Sequence, residues 1–313
     1  MYLRGPSLLF FNVSGLVVAS EIDLPWRTAD AVAAPDVTIR QADTPTDLPG
    51  AVEAGPTWRI AGDQFLLRIP GVARFLLTKG REITFEIEDG APAEDVAVFI
   101  IGTVFGILLH QRQQIVLHAS AVRVGDKAVL FCGPSGAGKS TMAAALNQKG
   151  YQLLTDDVCA IDLDAAGVLV AQSDGRRLKL WEQSIKGLDM AERKAGAVRS
   201  RLEKFYVEPH EPTNQTLPLG AVYVLREMRA PHKDGIERPN VVDAALFVRR
   251  NAYRPRLVAA MAQKDRYFRS AAAIAAGPGV FLLTRPLAFK ALPGVIEGLE
   301  QHWREIGLLG DAP

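Results

Sequence analysis

AVLFCGPSGAGKSTMAAALNQK, residues 128–149, decides how this chain is read. An apolar run from Ala128 to Cys132 gives way to GPSGAGKS, Gly133 to Ser140, and then to a helical pattern over Thr141 to Lys149. Strand, glycine-rich loop and helix in that order form the phosphate cradle of nucleotide-binding proteins. In Gly133, Pro134, Ser135, Gly136, Ala137 and Gly138 the scarcity of side chains lets backbone N–H groups converge on phosphate oxygens. The helix that starts at Lys139, Ser140 and Thr141 adds the partial positive charge of its N-terminus. Lys139 is placed to neutralise β and γ oxygens. Ser140 offers a hydroxyl to Mg²⁺, a hard cation that takes few protein ligands. The expected ligands are therefore ATP, or a similar triphosphate, and Mg²⁺.

Working downstream, YQLLTDD (151–157) ends in two carboxylates, Asp156 and Asp157, seventeen and eighteen residues after Lys139. Two acids at a strand end beside a triphosphate can divide labour, one holding Mg²⁺ while the other accepts a proton from an attacking hydroxyl. Upstream, His118 stands in IVLHASAV, twenty-one residues before Lys139. A histidine in an apolar strand reads by itself as a packed core residue. Its place next to the strand that feeds the loop makes it a candidate for the site as well.

Further out, strands and helices alternate, the pattern of an α/β sheet. Strands are predicted at 114–122, 127–132, 152–154, 158–163, 168–172 and 221–225, and helices at about 92–111, 141–149, 241–276 and 289–305. Breaks at 208–218 and 229–240 read as mobile loops. Residues 1–91 are β-rich instead, with alternating or short apolar runs at 8–13, 37–40, 65–69, 75–78 and 83–87. Pro35, Pro45, Pro49 and Pro56 mark exposed connections there. The predicted division is a β-rich domain over 1–91, structural or substrate-holding, and a catalytic α/β domain over 92–313.

Composition bounds the function classes. The 313 residues are 48% hydrophobic and 23% charged, with 36 Lys and Arg against 35 Asp and Glu, a net charge of +1. Such a balance gives no field for a polyanion, so no nucleic-acid partner is expected. The two cysteines, Cys132 and Cys159, lie in apolar runs without disulfide or zinc spacing and read as reduced, in a cytoplasmic protein. Ser7 to Ala19 is broken by Asn12, Ser14 and Gly15 and reads as a β-hairpin rather than an export signal. Ala97 to His110 is apolar for about fourteen residues, short of a bilayer span, and reads as a buried helix with no membrane partner.

The order and spacing of His118, the glycine-rich loop and Asp156-Asp157 resemble the catalytic domain of HPr kinase/phosphorylase over about Leu117 to Ile161. The resemblance implies a fold related to that of PEP carboxykinase, with Asp156 as general base, Asp157 and Ser140 as metal ligands, Lys139 as phosphate clamp and His118 as a positioning residue. It also implies self-association into a homo-oligomer. The chain departs from the bifunctional enzymes at Thr141, where they carry an acid, and at Ala119, where they carry glycine, which bears against the reverse reaction. The family's downstream catalytic arginine has five contenders here: Arg177, Arg201, Lys204, Arg249 and Arg250.

GLVVASEIDLP, GVARFLL, LHASAV, GPSGAGKST, LLTDDVCAIDL, RRLKLW and YRPRLV together look like the HPr-kinase-like proteins of lasso-peptide and related biosynthetic clusters. That resemblance implies a serine kinase whose partner is a peptide or small protein, with the C-terminal serine of a lasso-peptide precursor as acceptor. Two other classes fit the same residues: a nucleotide-driven switch with no acceptor, and a kinase of free serine or another small molecule. The basic run RRNAYRPR (249–256) reads either as a solvated helix face or as a contact for an acidic group.

Overall fold

Two units share the described part of the chain, which in this computed structural model covers residues 8–174, 177–197 and 203–310. One is built from residues up to Gln114 together with Arg256–Gln263, the other from Ile115–Pro255 and from Lys264 onward. The boundary lies beyond 91/92 because the helix that follows residue 92 packs into the first unit. There Phe105 meets Trp26 edge-on, ring centroids 4.9 Å apart.

The first unit is a sheet of nine strands among the described residues: Leu9–Val13 (β1), Leu16–Ser20 (β2), Arg27–Thr28 (β3), Val37–Gln41 (β4), Glu53–Gly55 (β5), Trp58–Ala61 (β6), Gln64–Ile69 (β7), Ala73–Thr78 (β8) and Glu82–Ile87 (β9). Their order across the sheet is β3-β1-β2-β4-β9-β8-β7-β6-β5. β1 and β2 form the expected hairpin, turning through Ser14 (φ 52°) and Gly15 (φ 74°), the left-handed pair that suits a two-residue connection. Alternation sends Ala73, Phe75 and Leu77 of β8 into the core, with Ile83 and Phe85 of β9 beside them. Ala93–Phe99 (α1), a π-helical turn at Ile100–Val104 and Phe105–Gln111 (α2) run on as one helix of 19 residues. By length and composition it could cross a membrane, yet 67% of it is buried in the protein, as a core helix should be.

After Gln114 the chain forms Ile115–Leu117 (β10), Ala119–Val124 (β11), Lys127–Cys132 (β12), Lys139–Gln148 (α3), Leu153–Thr155 (β13), Cys159–Leu163 (β14) and Leu169–Ala171 (β15). Leu178–Trp181 (β16), Glu182–Gly187 (α4), Lys194–Ala197 (β17) and Lys204–Val207 (β18) follow. Then come Leu217–Glu227 (β19), Gly235–Glu237 (β20), Val241–Arg250 (α5), Pro255–Ala260 (α6), Lys264–Ala276 (α7), Val280–Arg285 (β21) and Leu292–Glu305 (α8). β12, β19 and β21 are parallel neighbours, β11 and β13 continue the sheet antiparallel, and β16, β18 and β17 make a small sheet of their own. α3 and α8 share one core with the central strands, where Met142, Leu146, Leu299 and Trp303 meet Val129, Phe131 and Tyr223. This is an α/β arrangement, as the alternation predicts.

Two differences from the sequence reading bear on the site. The strand expected over 114–122 breaks at His118 into β10 and β11, which lie in different stretches of the sheet. The helix expected over 241–276 is three helices. Pro255 disfavours helical backbone at the residue before it, and Arg254 turns to φ +49° there.

Cys132 and Cys159 are fully buried and free, and burial pushes the Cys132 thiol up to about 12 and the Cys159 thiol well above its usual value. Neither should react with iodoacetamide at neutral pH until the protein is unfolded. Rapid labelling of the native protein would show that the ends of β12 and β14 are not packed in this way.

Candidate functional site

Strand register assembles the site. Ala119 lies opposite Cys132, and Ala121 lies opposite Thr155, so the residue before β11 and the residues after β12 and β13 come to one end of three adjoining strands. His118, Gly133 and the Asp156-Asp157 pair therefore emerge together although they are far apart in sequence. The short return from α3 to β13 is thus explained: β13 pairs with β11, not with the strand that feeds the loop.

The glycine-rich loop closes on itself. Gly138 caps α3 in a left-handed conformation (φ 84°), and a Cβ there would stand 2.5 Å from the Nη2 atom of Arg285. The Lys139 ammonium donates to the carbonyls of Gly133 (2.8 Å) and Pro134 (3.1 Å), and the Arg285 guanidinium donates to the carbonyl of Ala137 (2.8 Å). Both cations are buried, which lowers the pKa of each. Pro134, Ser135 and Gly136 are exposed at the loop's crest, and Ser140 is half-buried in the first turn of α3. Thr141 shares a hydrogen bond of 3.0 Å with Ser184 of α4.

The two aspartates have different surroundings. Asp156 is fully buried; one oxygen accepts from the Ser120 hydroxyl at 2.6 Å, the other from the Lys179 backbone N–H at 2.8 Å. Asp157 turns the opposite way, at φ 85°. One of its carboxylate oxygens lies 3.2 Å from His118 Nδ1 and the other 3.0 Å from Lys179 Nζ. Burial works against its charge, but the Lys179 ammonium and the His118 imidazole outweigh this and hold the carboxyl well below the usual range. His118 Nδ1 also lies 2.9 Å from the Asp157 backbone carbonyl, a contact that a ring N–H makes by donating.

A cavity of about 480 Å³ collects Gly138, Lys139, Ser140 and Thr141 with Asp157 and Lys179. His118, Ser135, Gly136, Lys204 and Arg285 line it too. Asp156 lines neither this cavity nor the larger one described below. Ser140 and Asp157 fit Mg²⁺ as oxygen donors facing one space. Among the described residues no group of three or more His, Cys, Asp or Glu that could hold a metal is assembled, so a cation at this place would lean on phosphate and water oxygens.

Of the five contenders for a catalytic cation, Lys204 lines this cavity and Arg250 the larger one. Arg177 pairs with Glu208 at 2.6 Å, Arg249 is exposed at the end of α5, and Arg201 lies outside the described residues. The sequence reading missed Ser120, Lys179 and Arg285. Each meets its partner across a long stretch of chain, and only an alternating LKLW pattern at 178–181, which turns Lys179 to the opposite side from Leu178 and Leu180, could have drawn attention to Lys179.

No family model matches the sequence. No curated protein matches it either. Among solved structures, the Hpr(Ser) kinase/phosphatase from Coxiella burnetii is similar to 61% of this chain over 96% of its own length, at 16% identity and a TM-score of 0.32.

Proposed function

We propose that this protein is an ATP- and Mg²⁺-dependent phosphotransferase acting on a serine-type hydroxyl of a peptide or small protein. The observation that carries the proposal is the convergence of Lys139, Ser140, Asp157, Lys179 and His118 on one cavity beside a glycine-rich helix N-terminus. A triphosphate needs converging N–H groups and cations, and a hydroxyl acceptor needs a carboxylate close to the terminal phosphoryl group. The lining supports such a reading, with Lys139, Lys179, Lys204 and Arg285 as cations and Asp157 as carboxylate. The motif resemblance adds the finer acceptor, the C-terminal serine of a lasso-peptide precursor.

Phosphoryl transfer asks chiefly for positioning and charge neutralisation. Lys139 would exchange its two loop carbonyls for phosphate oxygens, with Lys179, Lys204 and Arg285 adding positive charge around them. Mg²⁺ held by Ser140 and Asp157 would neutralise charge that develops on the phosphates. Asp157 is the carboxylate in reach of an acceptor hydroxyl and takes its proton late, when little basicity is required. Asp156, first read as the base, is fully buried and lines neither cavity, and we give it the task of fixing Lys179 and the strand end.

Incubation of the protein with ATP, Mg²⁺ and peptides encoded by neighbouring genes should add one phosphoryl mass to an acceptor. Lys139→Ala should lower that transfer by about a hundredfold or more, the scale of removing one charge-stabilising group. The proposal fails if the wild type shows no nucleotide binding by calorimetry. A nucleotide-driven switch would be favoured if ATP binds and no acceptor gains mass.

A further inference from the structure

A second cavity, about 870 Å³, lies over the first half of the loop, Gly133–Ala137. One of its walls is the segment between α5 and α6, where the sequence pattern predicts continuous helix. Instead the chain extends: Ala252 forms an antiparallel bridge with Leu117, the His118 N–H donates to the Asn251 carbonyl at 2.8 Å, and the Tyr253 N–H donates to the Val116 carbonyl at 2.7 Å. From the same unit, the Tyr267 hydroxyl accepts from the Val116 N–H at 2.8 Å and donates to the Val116 carbonyl at 3.1 Å. Residues 251–253 are thus stitched to β10, the strand that leads into His118, and the Tyr253 and His118 rings lie 6.2 Å apart.

The two cavities share His118, Ser135, Gly136 and Leu287. Their chemistry differs. The smaller sets Lys139, Lys179, Lys204 and Arg285 against one carboxylate, Asp157, as a polyphosphate requires. Phe247, Tyr253, Val224 and Leu282 give the larger an apolar lining. Of its charged residues, Arg226 is paired with Glu237 at 3.2 Å and Glu227 with Arg229 at 2.7 Å. Arg250, exposed at the end of α5, adds positive charge to the lining, and the Arg254 guanidinium lies 5.6 Å from the Tyr253 ring. In-line displacement places the attacking oxygen opposite the leaving one. An acceptor therefore approaches from a side that the nucleotide does not occupy.

We infer that the larger cavity is the acceptor site, and that it selects a peptide hydroxyl flanked by an apolar or aromatic side chain and an acidic residue. The apolar group sits against Phe247 and Tyr253, and the carboxylate meets Arg250. This inference rests on the proposed phosphotransfer. The reaction balances as a simple transfer: the acceptor oxygen bonds to the terminal phosphorus of ATP, the bond to the bridging oxygen breaks, ADP leaves, and the hydroxyl proton passes to Asp157.

The test is transfer from radiolabelled ATP into a peptide library with one fixed serine and randomised flanks, alongside titration with a fluorescent ATP analogue. Wild type should enrich peptides bearing an aromatic or aliphatic residue and an Asp or Glu near the serine. Arg250→Glu, at an exposed position that folding tolerates, should turn the charge preference from acidic to basic. Tyr253→Ala should raise the KM of an enriched peptide about tenfold or more, the usual effect of truncating a well-packed contact residue. Both variants should bind the ATP analogue within twofold of wild type. The inference is overturned if either variant weakens analogue binding tenfold, which would make this the nucleoside site. It is equally overturned if peptides are labelled without flank preference, if Arg250→Glu leaves the preference unchanged, or if wild type binds the analogue but labels none of the library. Failure of wild type to bind the analogue at all would instead strike the proposed function itself.

Discussion

Asp157→Asn should lower phosphoryl transfer about a thousandfold in a protein that still folds and still binds ATP, the range that removal of a proton-accepting or metal-holding group spans. Asparagine is the right probe because it tolerates the left-handed backbone that Asp157 adopts at φ 85°, where most side chains are strained. The substitution keeps the shape of the side chain and deletes the charge that faces Lys179 and His118. Thermal unfolding and nucleotide titration establish that the scaffold is intact, and single-turnover transfer reads the chemistry. Turnover within a few-fold of wild type would remove Asp157 from the mechanism.

Asp156→Ala should act on stability instead, lowering it by about 3 kcal/mol. Two buried donors, the Ser120 hydroxyl and the Lys179 N–H, would lose their acceptors, at about 1–3 kcal/mol for each unsatisfied group. Asp156→Asn should recover part of that loss, since its carbonyl oxygen can still accept from the Lys179 N–H. Its amide can meet the Ser120 oxygen only if that hydroxyl turns its proton elsewhere. Chemical denaturation gives the stabilities, and transfer per folded molecule gives the role. If Asp156→Asn unfolds like wild type yet transfers nothing, the proton acceptor is Asp156 and the assignment to Asp157 is wrong.

What the sequence makes legible is local. Strand, loop and helix at 127–148 can be read because hydrophobic run, glycines and helical spacing are contiguous. The hairpin at Ser14-Gly15 can be read because a two-residue turn has its own chemistry. The Asp156-Asp157 pair is visible too, but not its inequality. That depends on Ser120, whose partner lies thirty-six residues away, and on a reversal of backbone hand at Asp157 that residue type alone does not announce. Lys179 and Arg285 were hidden for the same reason: a lysine or arginine is usually solvated, and only tertiary pairing buries one.

The end of the first unit was hidden for a different reason. An apolar helix after Pro92 carries no mark of which core will take it, so composition assigns it to the segment that follows in sequence. Its partner in the structure, Trp26, lies far upstream. The break after Arg250 is the reverse case. Pro255 was present to be read, but a strong apolar period on both sides of it favoured one long helix.

The bond from Arg285 to the Ala137 carbonyl also sets a timetable. β21, which carries Arg285, lies between β19 and β20, and Arg285 follows Ala137 by 148 residues in sequence. While the ribosome is still making the residues that lead up to Val280, the glycine-rich loop has left the exit tunnel but lacks the side chain that braces it. The loop of the nascent protein is therefore completed long after its own residues are made, and an interrupted chain ending before Val280 would carry the whole glycine-rich motif without the brace that shapes it.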